Sequence, residues 1–73
     1  MAEIEVPSEV TGTVWKIEVA VGDTVKAEDT IMILESMKME IPVEAPAAGK
    51  ITKILVSEKD GVEEDQVVAI IES

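Results

Sequence analysis

Laid over itself with a shift of 37 residues (49 − 12), so that Gly49 falls under Gly12, this chain repeats. Without a gap the identical pairs are Gly12/Gly49, Lys16/Lys53, Ile17/Ile54, Val19/Val56, Asp23/Asp60, Val25/Val62, Ile33/Ile70, Glu35/Glu72 and Ser36/Ser73. Val14/Ile51, Thr30/Val67, Ile31/Val68 and Leu34/Ile71 agree in shape or apolar character. The overlap is only 25 residues, 12–36 on 49–73, so this density is well above chance. A half of this length cannot bury its own apolar face. The repeat therefore predicts two interlocking copies related by a pseudo-twofold axis. Closing the copies on each other also protects their sheet edges.

Composition narrows the class. The chain has 73 residues and reads as one domain, 1–73. Domains this small bury only about 60% of their unfolded surface, so they are marginal by default. No cysteine is present, which removes disulfides and thiolate metal sites. Trp15 is the single aromatic residue, read as a half-exposed cap over the core. The core must be aliphatic, and its Val and Ile content favours strands. Sixteen Asp+Glu against six Lys give a net charge of −10, which repels nucleic acid backbones and anionic membranes. No apolar run approaches the length of a membrane span; Ile31-Met32-Ile33-Leu34 is typical. Glu3 and Glu5 follow Met1-Ala2 directly, unlike a secretion signal. The expectation is a cytoplasmic, monomeric domain that binds neither nucleic acid nor membrane.

Along the chain, Glu3 to Val6 reads as a strand ended by Pro7. Gly12 to Val21 is strand again, but its alternation slips between Val14-Trp15 and Ile17. A bulge or a strand buried on both faces would explain the slip. Gly22-Asp23 signals a turn, and Val25 lies in a short strand or turn. Thr30 to Ser36 is a strong strand. Ile41 to Ala45 returns from it, with Pro42 at an edge or facing solvent.

Between those strands stands Glu35-Ser36-Met37-Lys38-Met39-Glu40. A tight turn favours Asn, Asp and Gly, which tolerate φ > 0. Here the turn holds two large apolar side chains around a lysine. Such local violations mark function more often than accident. By pseudo-symmetry this turn and the chain termini lie at opposite ends of the domain. Elsewhere the chemistry is sparse. No histidine, cysteine or tyrosine exists, so catalytic triads and zinc sites are absent. The isolated glycines form no phosphate loop. Glu63-Glu64-Asp65 lacks the ligand order of a calcium loop and reads as a solvated face.

The stretch around Lys38 resembles the attachment motif of biotin carrier domains, commonly Glu-Ala-Met-Lys-Met, with Ser36 for Ala. Gly12-Thr13-Val14-Trp15-Lys16-Ile17, Val21-Gly22-Asp23-Thr24-Val25 and Pro46-Ala47-Ala48-Gly49 resemble the biotinyl/lipoyl attachment family in order and spacing. The resemblance implies an all-β fold: a flattened barrel of two four-stranded antiparallel sheets. It implies covalent biotin on Lys38, with Met37 and Met39 recognised by a biotin protein ligase and Glu35, Ser36 and Glu40 flanking. It further implies a non-catalytic carrier that moves a carboxyl group from a biotin carboxylase to a carboxyltransferase, as in acyl-CoA carboxylases. The alternatives are a lipoyl or dual biotin/lipoyl carrier, although lipoyl domains usually show Asp-Lys-Ala at the turn. An unmodified β-domain serving as an interaction module is a third reading. Two departures stand out. Pro7 lies five residues before Gly12 whereas Pro46 lies three before Gly49, so the first loop is expected to differ. Lys59-Asp60-Gly61-Val62 replaces Gly-Asp-x-Val, so that turn is expected to be reshaped. With no Ala/Pro-rich linker and no inserted thumb, the chain is expected to be free-standing or an excised domain.

Overall fold

The structure, a computed structural model, describes residues 2–73. Eight strands follow one another: β1 (Glu3–Pro7), β2 (Gly12–Ile17), β3 (Thr24–Val25), β4 (Thr30–Ser36), β5 (Met39–Glu44), β6 (Gly49–Ile54), β7 (Gly61–Val62) and β8 (Val67–Glu72). No helix occurs among the described residues. The strands form two four-stranded antiparallel sheets, ordered β1-β8-β6-β3 and β5-β4-β2-β7. Each sheet mixes strands from both halves of the chain.

The 37-residue shift maps one sheet onto the other, register included. Ile51 pairs with Ile71 as Val14 pairs with Leu34. The shift also joins β1 to β5, outside the repeat read above: Ile4 pairs with Ile71 as Ile41 pairs with Leu34. Strand β2 is shorter than expected and ends at Ile17, but Glu18 still donates its N–H to Ile31 O at 2.9 Å. The slip in its alternation is a bulge. The register skips Trp15 between Val14 and Lys16, and skips Thr52 at the equivalent point of β6. Trp15 is consequently turned outward and is 51% exposed, the half-exposure expected of it.

Two backbone seams close the barrel. Ala45 N–H donates to Asp29 O and Glu28 N–H to Ala45 O, both at 2.8 Å. Ser8 N–H donates to Gln66 O at 2.8 Å and Asp65 N–H to Ser8 O at 2.7 Å. Ser8 thus does in the first loop what Ala45 does in the second. The two loops match despite their differently placed prolines. The Lys59 turn also keeps its partner's shape. Lys59 takes φ 76° where Gly22 takes 99°, and the Asp60 carboxylate accepts from Ser57 N–H as Asp23 accepts from Ala20 N–H. The side-chain cap holds the turn, so the lysine accepts a left-handed backbone.

Pro42 lies in β5, an edge strand paired only with β4, where a missing N–H costs the sheet little. From Met39, β5 runs away from the Met37–Lys38 turn. The chain then passes through 45–48 to Gly49, which packs against Glu72. Ser73 and Ala2 exchange backbone hydrogen bonds there. The described termini and the Lys38 turn therefore sit at opposite ends of a body 36 × 18 × 18 Å.

Two stability predictions follow from this packing. A Cβ on Gly49 would lie 2.5 Å from Ile71 Cγ2 and 2.7 Å from Glu72 O. Gly49→Ala should cost about 2–3 kcal/mol in urea unfolding, whereas Gly61→Ala, which meets no atom within 4 Å, should stay within about 0.5 kcal/mol of wild type. Lys59→Gly should stabilise by about 0.5 kcal/mol, because relief of the left-handed strain exceeds the entropy that glycine adds to the unfolded chain. Thermal melts that show Lys59→Gly less stable would contradict the turn geometry.

Candidate functional site

The site is the hairpin between β4 and β5. Ser36 and Met39 are paired across it, leaving a two-residue turn. Both turn residues are left-handed: Met37 at φ 52° and Lys38 at φ 66°. Such a turn matches the right-handed twist of its strands and ordinarily takes Asn-Gly. Neither residue here relieves the strain, and neither side chain gains burial in return. Met37 is 92% exposed, Met39 is 64% exposed, and Lys38 is exposed between them.

The hairpin's root is fastened, which makes its tip a defined projection. Ser36 Oγ donates to Thr11 O at 2.9 Å. Thr11 Oγ1 in turn accepts from Glu64 N–H at 3.2 Å. Gly12 lets β2 approach closely, since a Cβ there would lie 2.6 Å from Glu35 O. Alanine at position 36 could pack here but could not make the bond to Thr11, a link that the sequence alone did not show.

The six sequence-predicted site residues are therefore gathered on one hairpin. Glu35 and Glu40 are directly opposite each other and exposed. Like charges so placed repel. Across the sheet Glu35 meets Thr13, while its repeat partner Glu72 meets Lys50. The Lys38 end is thus the less compensated of the two. Among the described residues the ion pair found is Lys16–Glu18, at 3.7 Å, so Lys38 is held by no carboxylate.

An exposed, unpaired primary amine on a rigid projection can be acylated and can then swing. The chain contains no histidine, and no three acidic side chains converge as a metal site among the described residues. A groove of about 340 Å³ runs along β5 on the flank, floored by Val6, Leu34 and Val43, with Glu9, Glu28 and Glu44 on its walls. It does not include Lys38. The other five lysines are exposed too, so exposure does not distinguish Lys38. Lys16, Lys50 and Lys53 lie on strands. Lys59 lies in a turn whose own N–H is bonded to Val14 O at 2.7 Å. Lys26 donates its N–H to the Asp29 carboxylate at 2.9 Å. Of the six, only Lys38 stands at the tip of a hairpin.

The chain matches the family model described as "Biotin-requiring enzyme" over residues 2–71. It is 43% identical over 72 residues to the urea amidolyase of Saccharomyces cerevisiae, covering 99% of this chain but only 4% of that protein. It is 41% identical over 71 residues to the biotinylated protein TB7.3 homolog of Mycobacterium leprae, covering 97% of this chain and 99% of that one. The crystal structure of the Kluyveromyces lactis urea carboxylase superposes with a TM-score of 0.93 at 43% identity, covering 99% of this chain and 6% of that one. By the family match over nearly its whole length and its likeness to a biotinylated protein of the same size, the chain belongs to the biotin-requiring attachment-domain family, as a carrier domain with no catalysis of its own.

Proposed function

We propose that Lys38 is the biotin attachment residue. The observation that carries this reading is the position of an exposed, unpaired lysine at the tip of the β4–β5 hairpin, at the far end from Ala2 and Ser73. The amine fits a covalent arm: it stands exposed at the hairpin tip, outside the groove along β5. Attachment requires a biotin protein ligase, which supplies the activated acyl group. Once deprotonated, Lys38 Nζ attacks the carbonyl carbon of biotinyl-adenylate, forms the amide and releases AMP. Met37 and Met39 offer the ligase an adaptable apolar surface on either side. Glu35, Ser36 and Glu40 shape the hairpin root beneath it.

Biotin, when bound, supplies a ring nitrogen able to carry a carboxyl group. Lys38 positions that group on a flexible stem, and the fastened root fixes the point from which the stem swings. The domain then serves a biotin carboxylase and a carboxyltransferase in turn, with the gain that tethering gives in effective concentration. The acceptor in this reading is an acyl-CoA, bound by the carboxyltransferase. The methionine pair disfavours lipoyl attachment.

The test is a labelling time course with ligase, ATP and biotin, read with streptavidin. Wild type should be labelled, and Lys38→Arg should lose at least 100-fold in rate while keeping its melting temperature, because guanidinium stays protonated. Equal labelling of both proteins would remove Lys38 from the role.

A further inference from the structure

Of the chain's four methionines, Met37 and Met39 project into solvent beside Lys38, while Met32 is fully buried between the sheets. There is no cysteine, so among the described residues these two thioethers are the sulfur atoms that solvent reaches. Any unbranched or branched aliphatic side chain would offer an apolar contact. Methionine alone among them can be oxidised at sulfur, and reversibly. We propose that Met37 and Met39 form a redox modification site, at which conversion to the sulfoxides by a peroxide closes Lys38 to acylation.

The chemistry balances. A thioether lone pair attacks one peroxide oxygen, the O–O bond breaks, the sulfur becomes a sulfoxide and water leaves with both protons. Sulfur is oxidised and the peroxide reduced. A thiol-dependent methionine sulfoxide reductase returns the thioether. The effect on Lys38 is indirect: both methionines occupy positions that a partner enclosing the amine must cover. A sulfoxide presents a strong hydrogen-bond acceptor where the thioether presented an apolar surface, and covering it unpaired is unfavourable. Folding should be untouched, since the oxidised groups are already in water and Met32 is shielded. The inference rests on the assignment of Lys38 as attachment residue.

The test exposes the whole chain to dilute hydrogen peroxide, quenches it, and maps oxidation by peptide mass. Met37 and Met39 should oxidise at least tenfold faster than Met32. The oxidised protein should melt within 2–3 °C of the untreated one. Its ligase KM for biotinylation should rise at least tenfold, and methionine sulfoxide reductase should restore it. Met37→Leu/Met39→Leu should show the same labelling rate before and after peroxide. Untreated wild type that fails to label at all would refute the attachment reading, and this proposal with it. Labelling that proceeds equally before and after peroxide, or a peroxide effect that persists in the double leucine variant, would refute this proposal alone.

Discussion

Val14, Leu34, Ile51 and Ile71 lie fully buried between the two sheets, and they are two repeat pairs. Most of the rest of the core follows the same rule. Val6 with Val43, Val25 with Val62, Ile31 with Val68 and Met32 with Ala69 are each related by the 37-residue shift, and all are buried. Neither half could hide these side chains alone, because in each sheet one half supplies the two central strands and the other half both edge strands. Burial of an aliphatic side chain is favourable by roughly 1.5–3 kcal/mol, and here each such gain depends on the partner copy. The fold is consequently one cooperative unit, with no half that can stand by itself. The seams at Ser8 and Ala45 complete it by pairing backbone groups that the sheet edges would otherwise expose.

Against that symmetry the Met37–Lys38 turn is the point of departure. At the other end the equivalent residues are Ser73 and Ala2, hydrogen-bonded to each other without a turn between them. At the Lys38 end two non-glycine residues are held left-handed in a place where the strand twist asks for such a conformation. Left-handed backbone costs a non-glycine residue on the order of 1–2 kcal/mol. Folding tolerates the cost because β4 and β5 are paired from Thr30 to Ser36 and the root is fixed by the Ser36–Thr11 bond. What is gained is a lysine and two methionines held clear of the surface, in a position where the sequence could have placed Asn-Gly. Strain retained at an exposed tip and supported from below is the expected signature of a site that serves a partner.

Much of this was legible in the amino-acid pattern. The repeat required two similar halves, β4 appeared with its observed bounds, and the six residues from Glu35 to Glu40 stood out because large apolar side chains do not belong in a turn. Less legible was the kinship of β1 and β5. It rests on Glu3/Glu40, Ile4/Ile41 and Val6/Val43, with the mismatches Glu5/Pro42 and Pro7/Glu44 between and after them. The bulge at Trp15 was visible as a slip in alternation but not as a geometry, since a strand buried on both faces produces the same slip. The turn at Lys59 and the loop at Ser8 misled because residue type suggested difference. Their shapes are fixed by the Asp60 cap and by backbone seams, and main-chain hydrogen bonds leave little trace in side-chain identity. The outward turn of Trp15 belongs to the same class: its direction is decided by the bulge and not by its hydrophobicity.

The Lys38 hairpin gives up stability to hold its residues where a partner can reach them. Urea unfolding of Met37→Asn/Lys38→Gly, compared with wild type at equal pH and salt, tests this most directly. Asn-Gly satisfies the left-handed turn without strain, so the double variant should be more stable by about 1–2 kcal/mol, with an unchanged dependence on urea concentration. A variant equal to or less stable than wild type would show that the hairpin bears no such strain, and would contradict the account.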